Sequence, residues 1–313
     1  MYGDRVSFWD SAPLSGGSHE GVVVLVHGIA GSAHSWVPLL AELARRRSRR
    51  RVIVPDLLGH GSSSAPWADH SLGGYATGIR DLLAALGHTR ATIVGHSFGG
   101  GIAAQFAFQF PQHCDRLVLV DSGGLGREVS PLLRAATLPG AELVLPLITD
   151  RRVMNTVRQG EQLARRLLPG LSPSTWEAAR SFASLADPAH RRAFIHTTRS
   201  VVDAGGQRVR ATDRLYLTKG LPTLIAWGTA DTMIPVEHGH RAHELIPGSE
   251  LALFTGAGHY PHCDQPQQFL NRLLRFLEHT TPANRGSDDL GARIAAHTKL
   301  DESIRIRLAS KSG

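Results

Sequence analysis

The sequence predicts an α/β fold: a mostly parallel, doubly wound sheet with a helical insertion. Three observations predict it. Continuous apolar, β-branched runs alternate with helix-like segments through the first 124 residues. The alternation stops over residues 125–212 and then returns. A G-x-S-x-G pentapeptide, Gly95-His96-Ser97-Phe98-Gly99, stands at one strand-to-helix junction.

The elements follow in order. Residues 5–9 suit an edge strand. Residues 21–26, G-V-V-V-L-V, form an unbroken apolar run, the pattern of a strand buried on both faces in a parallel sheet. Residues 51–54, 91–94 and 117–120 share that character. Helix-like segments at 36–46, 75–86 and 100–110 separate them, so the chain reads as βαβ units with helices on both faces. Between 125 and 212 there is no clear buried strand. Leu-, Ala- and Arg-rich segments broken by Pro131, Pro139, Pro146, Pro169, Pro173 and Pro188 predict three to five short helices there. A strand at 221–227, a helix at 236–245, a strand at 250–254 and a helix at 265–279 complete the sheet. The predicted organisation is a core of 1–124 and 213–281, a helical cap of 125–212, and an accessory or disordered tail of 282–313. A short amphipathic helix is expected around 290–300.

Composition narrows the class. An apolar share of 42% with 19% charged residues is that of a soluble globular chain, and 313 residues are ample for one large core. The net charge of +7 is carried almost wholly by Arg, since Lys occurs only at 219, 299 and 311. The basic runs at 45–47 and 49–51 fall at a helix end and the loop after it. They read as solvated surface, and no nucleic-acid motif accompanies them. No run is long enough to cross a membrane and no apolar signal segment opens the chain, so a cytoplasmic protein is expected. Cys114 and Cys263 make no disulfide framework and are expected as reduced thiols.

The chemistry lies in the pentapeptide and two later residues. A strand, a tight turn and a helix make a nucleophile elbow, in which a strained turn presents the serine at the end of the sheet. A serine hydroxyl is a poor nucleophile near neutral pH and needs a base, which needs an orienting acid. On such an elbow the order is serine, acid, histidine. Asp231 lies just past the strand 221–227, and His259 follows the strand 250–254 in Gly256-Ala257-Gly258-His259-Tyr260-Pro261. Asp121, after the strand 117–120, is the rival acid. The strand before Asp231 directly precedes the one that leads to His259, which favours Asp231. His27-Gly28-Ile29 follows the first buried strand, where the amides of Ile29 and Phe98 are placed to form an oxyanion hole. Neither His259, His262 and Cys263 nor His238, His240 and His243 has a recognised metal-ligand pattern, so no metal is expected.

These residues resemble the α/β-hydrolase fold superfamily. His27-Gly28, the run Asp56-Leu57-Leu58-Gly59-His60-Gly61-Ser62-Ser63, the elbow, Asp231 and His259 match its pattern in order, over residues 6–279. The resemblance implies Ser97 as nucleophile, His259 as general base and acid, Asp231 as orienting acid, a structural Asp56, and a cap over the site. A serine in the elbow argues against dehalogenases and epoxide hydrolases of this fold, which use aspartate. The pattern is similar to small carboxylesterases and to C–C hydrolases of aromatic-ring degradation. The expected activity is hydrolysis of a small-molecule carboxylic ester through an acyl-enzyme, without cofactor. The alternatives are a C–C, thioester or lactone hydrolase, and a non-catalytic binding protein of this fold. Leu143 and Leu147 are expected on the inner face of the cap, shaping the acyl pocket.

Overall fold

The computed structural model describes residues 3–11, 20–46, 49–67, 69–150, 154, 170–286 and 293–294. The helix expected around 290–300 falls almost entirely outside them. The sheet strands are β1 (Phe8–Asp10), β2 (Val22–Val26), β3 (Arg51–Pro55), β4 (Ala91–His96) and β5 (Cys114–Val120), then β8 (Thr223–Gly228) and β9 (Glu250–Phe254). Their spatial order is β1-β3-β2-β4-β5-β8-β9. β1 runs antiparallel to β3, and every other neighbouring pair is parallel. The predicted edge strand exists, and Arg51 ties it down by donating two hydrogen bonds to the Asp10 carboxylate, at 3.0 and 2.6 Å.

Alternation along each strand sends neighbouring side chains to opposite faces. In β4 and β5, Ile93, Leu117 and Leu119 face one side. Val94, Val118 and Val120 face the other. Helices α2 (Leu72–Ala85) and α3 (Phe98–Gln109) cover the first face through Ile79, Ile102 and Phe106. Helix α8 (Glu237–Leu245) joins them through Ala242. Helices α1 (Val37–Arg45) and α10 (Pro266–His279) cover the second through Leu39, Phe269 and Phe276. Strands covered on both faces explain why their sequences are unbroken apolar runs. Helix α3 is buried on nearly every side, as its apolar sequence requires, which anchors the turn before it.

Between β5 and β8 the chain leaves the sheet. Among the described residues the insert contains α4 (Pro131–Ala135), α5 (Ala141–Ile148), α6 (Pro173–Ser184) and α7 (Pro188–Val201). The hairpin β6 (Val202–Asp203) with β7 (Gly206–Gln207) then returns the chain to the core, a feature too short to show in the sequence. Its Gln207 side chain accepts the Gly124 amide at 2.6 Å, which pins the exit of the insert to its entry. The insert has its own small cluster of Ala136, Ala141, Leu145, Leu185, Phe194 and Ile195.

The stretch expected as the start of a loose tail is docked. The Ala283 amide donates to the Asp115 carbonyl at 2.9 Å, and the buried Arg285 donates to the Leu217 carbonyl. Backbone and guanidinium bonds, rather than an apolar pattern, hold this segment. Both cysteines are buried free thiols. Among the described residues no helix is long and apolar enough to cross a membrane.

Candidate active site

Ser97 sits between β4 and α3 with φ 54° and ψ −118°, a conformation that non-glycine residues rarely adopt. The sheet holds it there. Its amide donates to the Val120 carbonyl at 2.9 Å, and its carbonyl accepts the Gly123 and Gly100 amides at 2.8 and 2.9 Å. The flanking glycines are sterically required. A Cβ on Gly95 would lie 2.0 Å from the Gly99 carbonyl oxygen, and one on Gly99 would lie 2.5 Å from that of Val26.

The two later residues meet as the chain order predicts. His259 Nδ1 donates to Asp231 Oδ2 at 2.7 Å, and both side chains are buried. Asp231 Oδ1 accepts the Met233 and Ile234 amides at 2.7 and 3.1 Å, so the carboxylate is held from both ends. This bond places the neutral imidazole proton on Nδ1 and leaves Nε2 as the free acceptor. The next contact was not foreseen: His96, the variable residue of the pentapeptide, donates through Nε2 to the His259 carbonyl at 2.6 Å. Burial, then the neighbouring His259 and His262, push the His96 pKa well down, so the ring stays neutral.

Asp121, the rival acid, is beside this pair but differently placed. It is fully buried with φ 41°, and its Oδ1 accepts the Gly228 amide at 2.9 Å. Burial first, then the charge of Asp231, push its pKa well above the carboxylate range. Asp121 is therefore a neutral carboxylic acid lying against a carboxylate. One ligand atom from each of Asp121, Asp231 and His259 falls within 4.8 Å of the others, a spacing that would admit a cation. Asp231 and His259 already satisfy each other, and Asp121 is uncharged. The trio fits a bonded Asp231–His259 pair beside a neutral acid better than a metal site. Of the other histidines weighed as ligands, His238 bonds Glu128 and His243 bonds Ser249.

The loop after β2 closes the other side. His27 Nδ1 donates to the Gly28 carbonyl at 2.7 Å, and its Nε2 accepts the Leu57 amide at 3.1 Å. Asp56 accepts the Ala33 and Ser62 amides at 2.7 and 2.8 Å, a structural role that ties the segment after β2 to the loop after β3. This packing brings Gly28 against Ser97, since a Cβ on Gly28 would be 3.2 Å from Ser97 Cβ. The amides of Ile29 and Phe98 donate to no other described residue. Two unpaired amides thus flank the serine.

Ser97 and His259 open on a cavity of about 400 Å³. Its remaining wall is mostly insert: Leu133, Ala141, Leu145, Phe182 and Phe194 among others. No Lys, Arg, Asp or Glu lines it among the described residues. Leu143 and Leu147 do not line it and stand 76% and 77% exposed, while Leu145 is 8% exposed. Helix α5 is apolar except for Glu142, so its sequence does not clearly mark an inner face. One helical turn carries the spacing Ala141, Leu145 and Ile148 inward and Leu143 and Leu147 outward.

Comparison with known proteins agrees with this architecture. Residues 21–266 match the α/β hydrolase fold family, and the chain belongs to it. A hydrolase role follows from that membership. The chain is 43% identical over 263 residues to an uncharacterised Mycobacterium tuberculosis protein, covering 83% of this chain and 76% of that one. It is 30% identical to a 2-hydroxy-6-oxo-2,4-heptadienoate hydrolase of Pseudomonas putida, over 82% of this chain and 88% of the relative. Among solved structures it resembles a thermophilic esterase from Thermogutta terrifontis. The TM-score is 0.64 and the identity 26%, covering 88% of this chain and 95% of that one.

Proposed function

We propose that this protein is a serine hydrolase that cleaves carboxylic esters with small to medium apolar acyl groups. The observation that carries the reading is a cavity lined, among the described residues, by no Lys, Arg, Asp or Glu, with Ser97 and the Asp231-bonded His259 on its wall. In the proposed cycle Ser97 Oγ attacks the ester carbonyl as its proton passes to His259 Nε2. Asp231 holds the imidazole and stabilises its charged form. The Ile29 and Phe98 amides receive the negative oxygen of the tetrahedral intermediate. His259 then protonates the leaving alcohol. Water, deprotonated by His259, attacks the acyl-enzyme and releases the acid and Ser97. The cycle draws on no metal or cofactor. The described helices of the insert act as a cap that excludes water and shapes the acyl pocket.

The likeness to the heptadienoate hydrolase supports a second reading, cleavage of a C–C bond beside a ketone. An anionic dienoate in this cavity would meet no cationic side chain among the described residues, and an unpaired buried carboxylate is costly. The ester reading is therefore preferred. It is tested with a fluorophosphonate probe and p-nitrophenyl esters of graded chain length. Labelling at Ser97 and turnover of short to medium esters are expected. Ser97→Ala should lose both, with a rate loss of about 10³-fold or more. Unlabelled wild-type protein would indicate the non-catalytic alternative, and turnover of dienoates alone would indicate the second reading.

A further inference from the structure

The backbone on both sides of His259 is held by side chains, one of them from the insert. Gly258 donates its amide to Asp264 Oδ2 at 2.8 Å, and Tyr260 donates its amide to Ser174 Oγ at 3.0 Å. Asp264 lies in the short helix α9 (Pro261–Asp264), whereas Ser174 opens α6, ninety residues earlier. The two side chains also bind each other: Ser174 Oγ donates to Asp264 Oδ2, and the Ser174 amide donates to Asp264 Oδ1 at 2.7 Å.

Two details show that these contacts are built into the fold. The first turn of a helix leaves amides without internal partners. In α6 the side chain of Ser172 accepts the Thr175 amide at 3.2 Å as the helix's own cap. Ser174 is thereby free to present its amide and hydroxyl to Asp264, a carboxylate at a helix N-terminus, where the helix dipole favours negative charge. The second detail is Gly258. A Cβ there would lie 3.2 Å from both Cβ and Oγ of Ser174. The glycine before His259 is thus a seat for a residue of the insert.

We propose that Ser174 and Asp264 are positioning residues for His259, so that the imidazole is correctly set only while α6 is seated on the core. Neither side chain lines the cavity around Ser97. They act on the reaction through the peptide units flanking His259. The effect on rate rests on the reading of His259 as the base. The contact itself does not. Because Asp264 accepts from Gly258 and from α6 with one carboxylate, displacement of α6 removes the hydroxyl from Tyr260 and part of the restraint on Gly258 together. Small displacements of a catalytic group have large kinetic effects.

The test is Ser174→Ala, with Ser174→Thr as the conservative variant, read by ester kinetics, melting temperature and hydrogen exchange. In Ser174→Ala the Tyr260 amide should lose protection and kcat should fall about tenfold. KM for a short ester should stay within about twofold, because the cavity wall is unchanged. Ser174→Thr should restore both protection and kcat to within about threefold. Asp264→Asn should lower kcat as well, and combining it with Ser174→Ala should add little further loss, as expected of one linked unit. A Ser174→Ala protein with wild-type kcat would overturn the proposal. So would a loss of rate matched by an equal loss of folded protein and not restored by threonine, or fully additive effects of the two variants. If the wild type turns over no ester, the function proposed above fails, and Tyr260 exchange alone still decides whether Ser174 holds this loop.

Discussion

The sheet and the insert are built by different physics. The frame buries its strands on both faces, in two apolar clusters separated by the sheet itself. The insert buries a small cluster, leaves Leu132, Leu138, Val144 and Ile148 exposed on the cavity wall, and leaves Leu143 and Leu147 exposed away from it. It is fastened to the frame by polar contacts, Gln207 to Gly124, Ser184 to the Ala30 carbonyl and Ser174 to Asp264, and by Leu125 and Ala211, which are buried in one of the frame's clusters. Elements with few buried apolar contacts open at lower free energy than a core, and lids are drawn from such elements. The difference teaches a division of labour. The frame supplies Ser97, Asp231 and His259, and the insert supplies most of the cavity wall and the Ser174 hydroxyl bonded to Tyr260 beside His259.

The largest effect expected from breaking this arrangement is in the frame, at the two aspartates. Asp231→Asn should lower kcat by about 10³-fold or more, since an amide favours the wrong histidine tautomer. Asp121→Asn should stay within about threefold of wild type. The amide oxygen can still accept from Gly228, and a neutral amide replaces a carboxyl that burial already pushes toward its neutral form. The stability sign follows from the raised pKa of Asp121. A raised folded pKa gives stability that is complete below the unfolded pKa and lost as pH rises through the folded one. Asp121→Asn should therefore gain more in melting temperature at pH 8 than at pH 5. Kinetics of both variants beside thermal melts decide the assignment. A crippled Asp121→Asn with a benign Asp231→Asn would reverse it.

A smaller effect, also located in the frame, is acid sensitivity. His60 and His262 are buried, and desolvation lowers their pKa to about 3. His262 lies stacked on Trp36 with both ring nitrogens unbonded. A histidine with a lowered folded pKa keeps the native state stable above its unfolded value of about 6.5. That stability is lost as pH falls toward about 3, because only the unfolded chain takes up the proton. Each such imidazole should remove about 1.4 kcal/mol per pH unit below about 6. His262→Phe should flatten the dependence of unfolding free energy on pH by about one proton between pH 4 and 6, as measured by urea titrations. An unchanged slope would show that His262 is not held neutral in the native state.

The smallest effect separates the two faces of α5. Leu145→Ala enlarges the cavity and should shift the preferred acyl chain by about one or two carbons, at a stability cost of about 2 kcal/mol. Leu147→Ala, on the exposed face, should leave the chain-length profile unaltered and stability within about 0.5 kcal/mol. Profiles with p-nitrophenyl esters check both. Identical profiles for the two variants would reduce the insert to a structural cover.

The sequence by itself determined the frame and the order of the site. Unbroken apolar strands, glycines around Ser97, and an acid and a histidine after successive late strands are local patterns, and a buried parallel sheet leaves them few alternatives. What it could not determine are relations between distant residues. The sequence marks Asp121 and Asp231 as rivals for one role. Only the tertiary burial of Asp121, with Asp231 beside it, pushes its pKa up and separates the two. Helix α5 has a single polar residue, Glu142, so its orientation waits on the cluster it packs against. The pairing of Ser174 with the backbone around His259 spans nearly ninety residues. Hydrogen bonds of that kind carry no periodic signal, because they depend on where two separately folded segments come to rest.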